Sequence, residues 1–319
     1  PGHRFPMSKY GYLRARLDRA GLMPPGGFFA PAPASAAMIG LAHDPAYVSR
    51  VFEQTLSAAE VKRIGLPASE AMTRRVRLSS AGTTLAARLA LEHGIALNCA
   101  GGSHHAAREG GAGYCVLNDV AVAAATLLEE GGARRILVLD LDVHQGDGTA
   151  RIFAGDPRVF TLSLHGANNY PAEKASSDLD VALSDGTEDA AYLAALDAAL
   201  ERMEDERFDL IFYNAGVDVT AADRLGRLAL SPGGLRARDA RAIGWAARRG
   251  VPLAAALGGG YGSDPDEVAS RHQVLFEEAA RRWEARSWTG FSAGSPPSSP
   301  PKAKPRLKAR TRSASRSPR

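Results

Sequence analysis

The sequence predicts an α/β fold of three layers, with helices on both faces of a mostly parallel β-sheet. Three observations predict it. Apolar runs of strand length alternate along the chain with segments of helical periodicity. The runs are apolar throughout, as strands buried on both faces must be. Each run ends in a polar cluster, where open parallel sheets place their ligand sites. Those clusters are His104/His105, Asp140 to Asp147, Ser163/His165, Asp218 and Tyr261.

Residues 1–35 are rich in Pro and Gly, with a short helix expected over 12–20 and a loop over 23–29. Residues 45–60 carry Tyr47, Val51, Phe52 and Leu56 at helical spacing. Two further helices are expected over 69–77 and 83–92. A short strand over 94–98 runs into Cys99-Ala-Gly-Gly-Ser-His-His105, followed by a Gly-rich loop over 109–114. Asn118 or Asp119 caps a helix over 118–129. A buried strand begins at Ile136, and a short helix and a strand over 158–165 follow it. Residues 166–186 read as a long polar loop. Thr187-Glu-Asp-Ala is a near capping box for a helix over 187–204. Then come a strand over 208–214, a helix over 235–249, a strand over 251–257 and a helix over 264–283. There is no internal repeat.

The composition is that of an ordinary globular protein, 45% hydrophobic and 23% charged in 319 residues. We expect a single catalytic domain over 1–288. No apolar run is long enough to span a bilayer, and residues 1–6 carry no signal-peptide pattern. Cys99 and Cys115 are too few for a disulfide framework, so a cytoplasmic, reducing location is expected. The net charge of +4 is carried by the end of the chain: from Thr289 onward there are eight Lys or Arg and no acid. Taking that +8 from +4 leaves −4 for the rest, which argues against a nucleic-acid-binding fold. The Ser/Pro-rich segment 289–319 is expected to be disordered, and its charge suits a tether to nucleic acid or another acidic surface.

Ile136 to Leu139 is unbroken and apolar, and carboxylates then appear inside the run. A strand's period of two puts Asp140, Asp142 and His144 on one face. Two acids and an imidazole on a buried face require compensation, and a divalent metal supplies it. Asp218, at the end of another strand, can add a third ligand and leave coordination positions open for water and substrate. His104 and His105 can serve as acid and base, with Asp140 and Asp147 free to orient them. Tyr261, after three glycines, can donate its hydroxyl to an oxyanion. That inventory fits metal-assisted hydrolysis of an amide or ester. Ser163 and Asp119 do not make a serine hydrolase, because no G-x-S-x-G elbow is present. Gly258-Gly-Gly-Tyr261 lacks the lysine of a phosphate loop.

These residues resemble the zinc-dependent histone deacetylase superfamily, which includes the acetoin-utilisation and acetylpolyamine amidohydrolase proteins. The segments that carry the resemblance are Gly101-Gly-Ser-His-His-Ala106, Gly113-Tyr-Cys-Val-Leu-Asn-Asp119 and Val138-Leu-Asp-Leu-Asp-Val-His-Gln-Gly-Asp-Gly148. Ser163-Leu-His165, Asn214-Ala-Gly-Val-Asp218 and Gly258-Gly-Gly-Tyr261 complete them, in family order. Within the family, His3-Arg-Phe-Pro-Met-Ser-Lys-Tyr10, Gln145 and Leu225-Gly-Arg-Leu-Ala-Leu-Ser231 look like class IV and its bacterial relatives.

The resemblance implies an arginase/deacetylase-like fold, with a further strand ahead of residue 1. It implies zinc on Asp142, His144 and Asp218, with iron as the alternative metal. His105, oriented by Asp147, would be the general base, and His104, paired with Asp140, would stabilise charge and deliver a proton. Tyr261 would bind the oxyanion. Gly113, Tyr114 and Tyr170 would line an acyl-lysine channel, with Leu225 near its mouth. Asp140, Ser163 and the backbone carbonyls of Asp142, His144 and Leu164 would hold a structural potassium ion. Gln145, in place of the second His of the commonest variant, is expected to tune activity from outside the metal's ligands. The implied substrates are acyl-lysine proteins, with acetylated polyamines or other small amides as the alternative. An arginase-type two-manganese site would need further acids around His144 and Asp218, where Gly146, Gly216 and Thr220 stand instead. A catalytically inactive binding protein would have lost a ligand, and none is lost.

Overall fold

The computed structural model describes residues 5–23 and 27–285. His3, residues 24–26 of the expected loop and the basic segment 289–319 lie outside them. The elements in order are α1 (Lys9–Arg19), α2 (Ala36–Ile39), α3 (Pro45–Glu53), α4 (Ala58–Ile64), α5 (Glu70–His93), β1 (Ile95–Leu97), α6 (Asp119–Glu129) and β2 (Ile136–Asp140). There follow α7 (Asp147–Phe153), β3 (Val159–Gly166), β4 (Leu179–Leu183), α8 (Asp189–Glu201), β5 (Leu210–Asn214), α9 (Pro232–Arg248), β6 (Leu253–Ala256) and α10 (Pro265–Glu284).

The strands form one parallel sheet in the order β1-β6-β5-β2-β3-β4. Successive side chains on a strand point to opposite faces, so each strand feeds two cores. Leu137, Leu139, Ile211, Tyr213, Leu253 and Ala255 pack against α1, α8, α9 and α10. Ile136, Val138, Leu210, Phe212, Ala254 and Ala256 pack on the other face with α3, α5 and α6. This is the expected three-layer fold, and it brings the carboxyl ends of β2, β5 and β6 side by side. Among the described residues no helix is long and apolar enough to cross a membrane.

Several local expectations are corrected. β2 stops at Asp140, so Asp142 and His144 stand on irregular backbone beyond the strand. The carboxylates themselves end it. Asp140 Oδ1 accepts the Asp142 N–H at 3.2 Å and Asp142 Oδ1 accepts the His144 N–H at 3.0 Å, which takes those donors away from the ladder. Residues 45–60 form two helices, broken where Gln54 takes φ +61° and a Ser57–Glu60 capping box starts α4. The two helices expected over 69–92 are one. Ser80 and Thr84 satisfy their hydroxyls on the carbonyls of Val76 and Ser80 within α5. Part of the loop 166–186 is the edge strand β4, whose half-exposed pattern hid it. The near capping box at Thr187 does not form. Thr187 Oγ1 donates to Ser184 O, and Glu188 is the N-cap residue without a side-chain bond.

Candidate active site

Beyond the ends of β2 and β5, the ligand atoms of Asp142, His144 and Asp218 lie within 4.8 Å of one another, all buried. His144 Nδ1 is 3.0 Å from Asp142 Oδ1 and 3.2 Å from Asp218 Oδ2. Asp142 Oδ2 accepts the Gly259 N–H at 2.6 Å, and Asp218 Oδ1 accepts the Val143 N–H at 3.0 Å. Asp218 Oδ2 has no hydrogen-bond donor among the described residues. Burial, then the Asp142 carboxylate, pushes Asp218 up to about 6. Burial works against Asp142 too, but His104 and His144 outweigh it and hold that group well below the usual carboxylate range. Two buried carboxylates and an imidazole facing one point, with one oxygen undonated, form a donor set suited to a divalent cation.

Two histidines adjoin this triangle. His104 Nδ1 is 2.7 Å from Asp140 Oδ2, and His105 Nδ1 is 2.7 Å from Asp147 Oδ1. Their ring centroids are 4.2 Å apart with the planes tilted by 49°, and His105 meets His144 edge-on at 5.6 Å. The two are tuned apart. Burial opposes charge on His104, but Asp140 and Asp142 outweigh it and raise the ring to about 9. Burial, then the charge of His104, lowers His105 to about 3 despite Asp147. One imidazole is therefore charged and its neighbour neutral at pH 7.

Tyr261 is buried, with its ring 6.2 Å from His144 and 6.1 Å from Tyr114. Asp223 Oδ2 holds its backbone N–H at 2.6 Å and Arg271 Nη2 donates to its carbonyl at 3.2 Å. Burial raises its hydroxyl well above the ordinary tyrosine value. Gly258, at φ +69°, lets the loop before Tyr261 press on Gly216: a Cβ there would come 2.6 Å from the Gly216 nitrogen. Tyr170 stands against His105 edge-on at 4.7 Å and is 45% exposed, so one side of the site opens to solvent. A Cβ on Gly113 would come 2.7 Å from the His105 ring. Leu225 is half-buried, its carbonyl accepting from Asn169 at 2.9 Å. A cavity of about 20 Å³ lies between Phe5, Tyr10, Arg75, His104, Asp142 and Tyr261.

Residues 3–276 match the family model described as the histone deacetylase domain. The chain belongs to the histone deacetylase family. It is 44% identical to an uncharacterised protein of Picosynechococcus sp. over 278 residues, 87% of this chain and 93% of that protein. It is 31% identical to histone deacetylase 2 of Arabidopsis thaliana over 270 residues, 81% of this chain and 70% of that one. Among solved structures it is similar to an HDAC homologue complexed with SAHA, at TM-score 0.71 and 25% identity, covering 84% of this chain and 77% of that one. The acetylpolyamine aminohydrolase from Burkholderia pseudomallei shares the fold at TM-score 0.69 and 22% identity, covering 85% and 89%.

As a histone deacetylase relative, the chain supports its site with residues to which the sequence attached no role. Asn214 Nδ2 donates to Asp140 Oδ1 at 3.0 Å and fixes the partner of His104. Lys9 is fully buried beneath the loop of Tyr261, its Nζ 3.4 Å from the carbonyls of Gly258 and Gly260 and 3.3 Å from His272 Nε2. Burial lowers it to about 8 although Asp218 and Asp142 pull the other way. A lysine on an amphipathic N-terminal helix carries no local signal for this, because its partners lie some 250 residues away. Gln145 turns from the metal candidates. Its Nε2 donates to Ala175 O, before β4, and to Asp180 Oδ1, within β4, both at 2.8 Å.

Proposed function

We propose that this chain is a metal-dependent amidohydrolase that removes acetyl or longer acyl groups from lysine side chains. The observation that carries the reading is that a three-ligand triangle, two His–Asp pairs and Tyr261 meet in one narrow buried site. Asp142, His144 and Asp218 would hold zinc, with iron as the alternative. When bound, the metal polarises the amide carbonyl and lowers the pKa of a water at the site.

His105 is neutral and takes the water's proton on Nε2, while Asp147 at Nδ1 holds the tautomer that leaves Nε2 free. His104, charged against Asp140, steadies the negative charge of the intermediate and supports proton delivery to the departing amine. Tyr261 keeps its proton and donates to the oxyanion. Gly113, Tyr114 and Tyr170 line the lysine channel, and Leu225 lies toward its mouth. Asp140 and Ser163 are direct partners across β2 and β3. With the carbonyls of Asp142, His144 and Leu164 they would supply oxygen ligands to a structural potassium ion. The cavity beside Asp142 holds about 20 Å³, little more than one water needs.

The test is hydrolysis of an acetyl-lysine peptide beside a long-chain acyl-lysine peptide and an acetylpolyamine. Each is run as prepared, after chelation and after zinc is restored. Metal-dependent turnover of the acetyl-lysine peptide, lost in His105→Ala, is expected. Preference for the acetylpolyamine would move the substrate to small cations. No turnover of any of the three by the folded, metal-loaded protein would overturn the enzyme reading in favour of a binding role.

A further inference from the structure

Helix α9 sends a cation into the core. Arg238 is fully buried, where an unpaired charge would be expensive. Its Nε and Nη2 donate to Asp239 Oδ1 at 2.9 and 2.8 Å, and Tyr213 Oη donates to the same oxygen at 2.5 Å. That pairing neutralises the charge and leaves Nη1 to other partners. Nη1 donates to Leu141 O at 3.2 Å and to Gly216 O. Leu141 lies between Asp140 and Asp142, and Gly216 stands two residues before Asp218.

One nitrogen thus ties the backbone beyond β2 to the backbone beyond β5, beside a metal-ligand candidate on each. The tie stands at the last rung of the ladder, where the Leu141 N–H still donates to Asn214 O at 3.0 Å. Beyond that rung, the Val143 N–H to Asp218 bond joins the same two segments and the Gly259 N–H to Asp142 bond joins β2's end to the loop after β6, and both occupy carboxylate oxygens of the ligand set itself. The Arg238 link occupies none. A guanidinium suits the task because its planar fork holds a carboxylate on one edge and reaches carbonyls with the other nitrogen.

We propose that Arg238 is a positioning residue that sets the separation of Asp142 and Asp218, and through it the affinity for a divalent metal. The inference rests on the metal-dependent reading above. The experiment is zinc affinity by chelator competition on the full chain, with melting of the metal-free forms recorded alongside. The variants are R238K, R238M/D239N and L196A. R238M/D239N removes both charges together and leaves an amide oxygen for Tyr213, so no lone charge stays buried. L196A opens a cavity at a buried α8 position among core side chains, as a control for lost stability.

R238M/D239N should bind zinc about ten- to a hundredfold more weakly, the range for groups that orient metal ligands, with R238K between it and the wild type. L196A should melt earlier yet bind as the wild type does. Wild-type affinity in a folded R238M/D239N, or an equal loss in L196A, would overturn the role of Arg238. A wild-type chain that binds no divalent metal would instead overturn the metal reading, and the role of Arg238 with it.

Discussion

His43 is fully buried and both of its ring nitrogens are committed. Nδ1 lies 2.9 Å from Ala107 O, and Nε2 accepts the Asn118 N–H at 2.9 Å, so the ring is neutral with its proton on Nδ1. It thereby clamps the segment after His105 to the start of α6. Burial pushes it down to about 4 from the ordinary 6.5. The unfolded chain takes up a proton below pH 6.5 that the native ring refuses until about 4. Stability is therefore full above that window and falls as pH drops through it, by about 3 kcal/mol at 1.4 kcal/mol per unit. Melting followed from pH 7 to pH 4 should show the decline, and His43→Gln should flatten it. A variant that declines as steeply would place the effect elsewhere. At the chemistry itself, His105→Ala should lower kcat by about 10²–10⁴ and Tyr261→Phe by about 10²–10³. A fully active Tyr261→Phe would remove its hydroxyl from the mechanism.

Among the elements, α4 shows how a cap supports the site. Glu60 Oε2 accepts the Ser57 N–H at 2.8 Å, Oε1 accepts from Arg50 at 2.9 Å, and three residues on Arg63 Nε donates to Gly111 O at 2.9 Å. The Ser57 N–H, with Arg50, lowers the Glu60 carboxyl to about 2. Its support is complete above the unfolded value near 4.3 and fades as pH falls toward 2. Glu60→Ala should cost about 1 kcal/mol at pH 7 in urea unfolding, with the gap to wild type narrowing below pH 4; a gap independent of pH would contradict the cap. The same scale shows what sequence reading can reach. The apolar runs of β2, β5 and β6 declare themselves because they are buried on both faces, and the polar residues at their ends mark what the fold brings together. β4 stayed hidden because an edge strand keeps only its alternate residues apolar. α5 read as two helices because Ser79-Ser-Ala-Gly82 looks like a break until the Ser80 hydroxyl finds the Val76 carbonyl one turn back. Arg238 left no local trace, and Lys9 stood in a quoted segment without a role: what makes each matter is a carbonyl beyond a distant strand end.

For the whole molecule, a divalent metal held between the opposed carboxylates of Asp142 and Asp218 would be coupled to stability. Metal at a hundred times its Kd adds about 2.7 kcal/mol, so chelation should lower the melting temperature and zinc should restore it. An unchanged melting temperature on chelation would mean that metal and fold are not linked here. Removing residues 289–319 should weaken DNA binding in a salt-dependent way and leave turnover unchanged, since eight cations go while every proposed site residue stays. Binding that survives the deletion would end the tether idea. The Lys9 contacts bear on how the chain comes off the ribosome. Lys9 is made well before its partners, since the carbonyls that receive it lie 249 and 251 residues downstream. At about 5–20 residues per second that is a wait of roughly 12–50 s. Through that interval the nascent chain carries an exposed ammonium that later has no water around it. Turnover should then appear only after Gly260 has left the exit tunnel, however much of the sheet has already assembled.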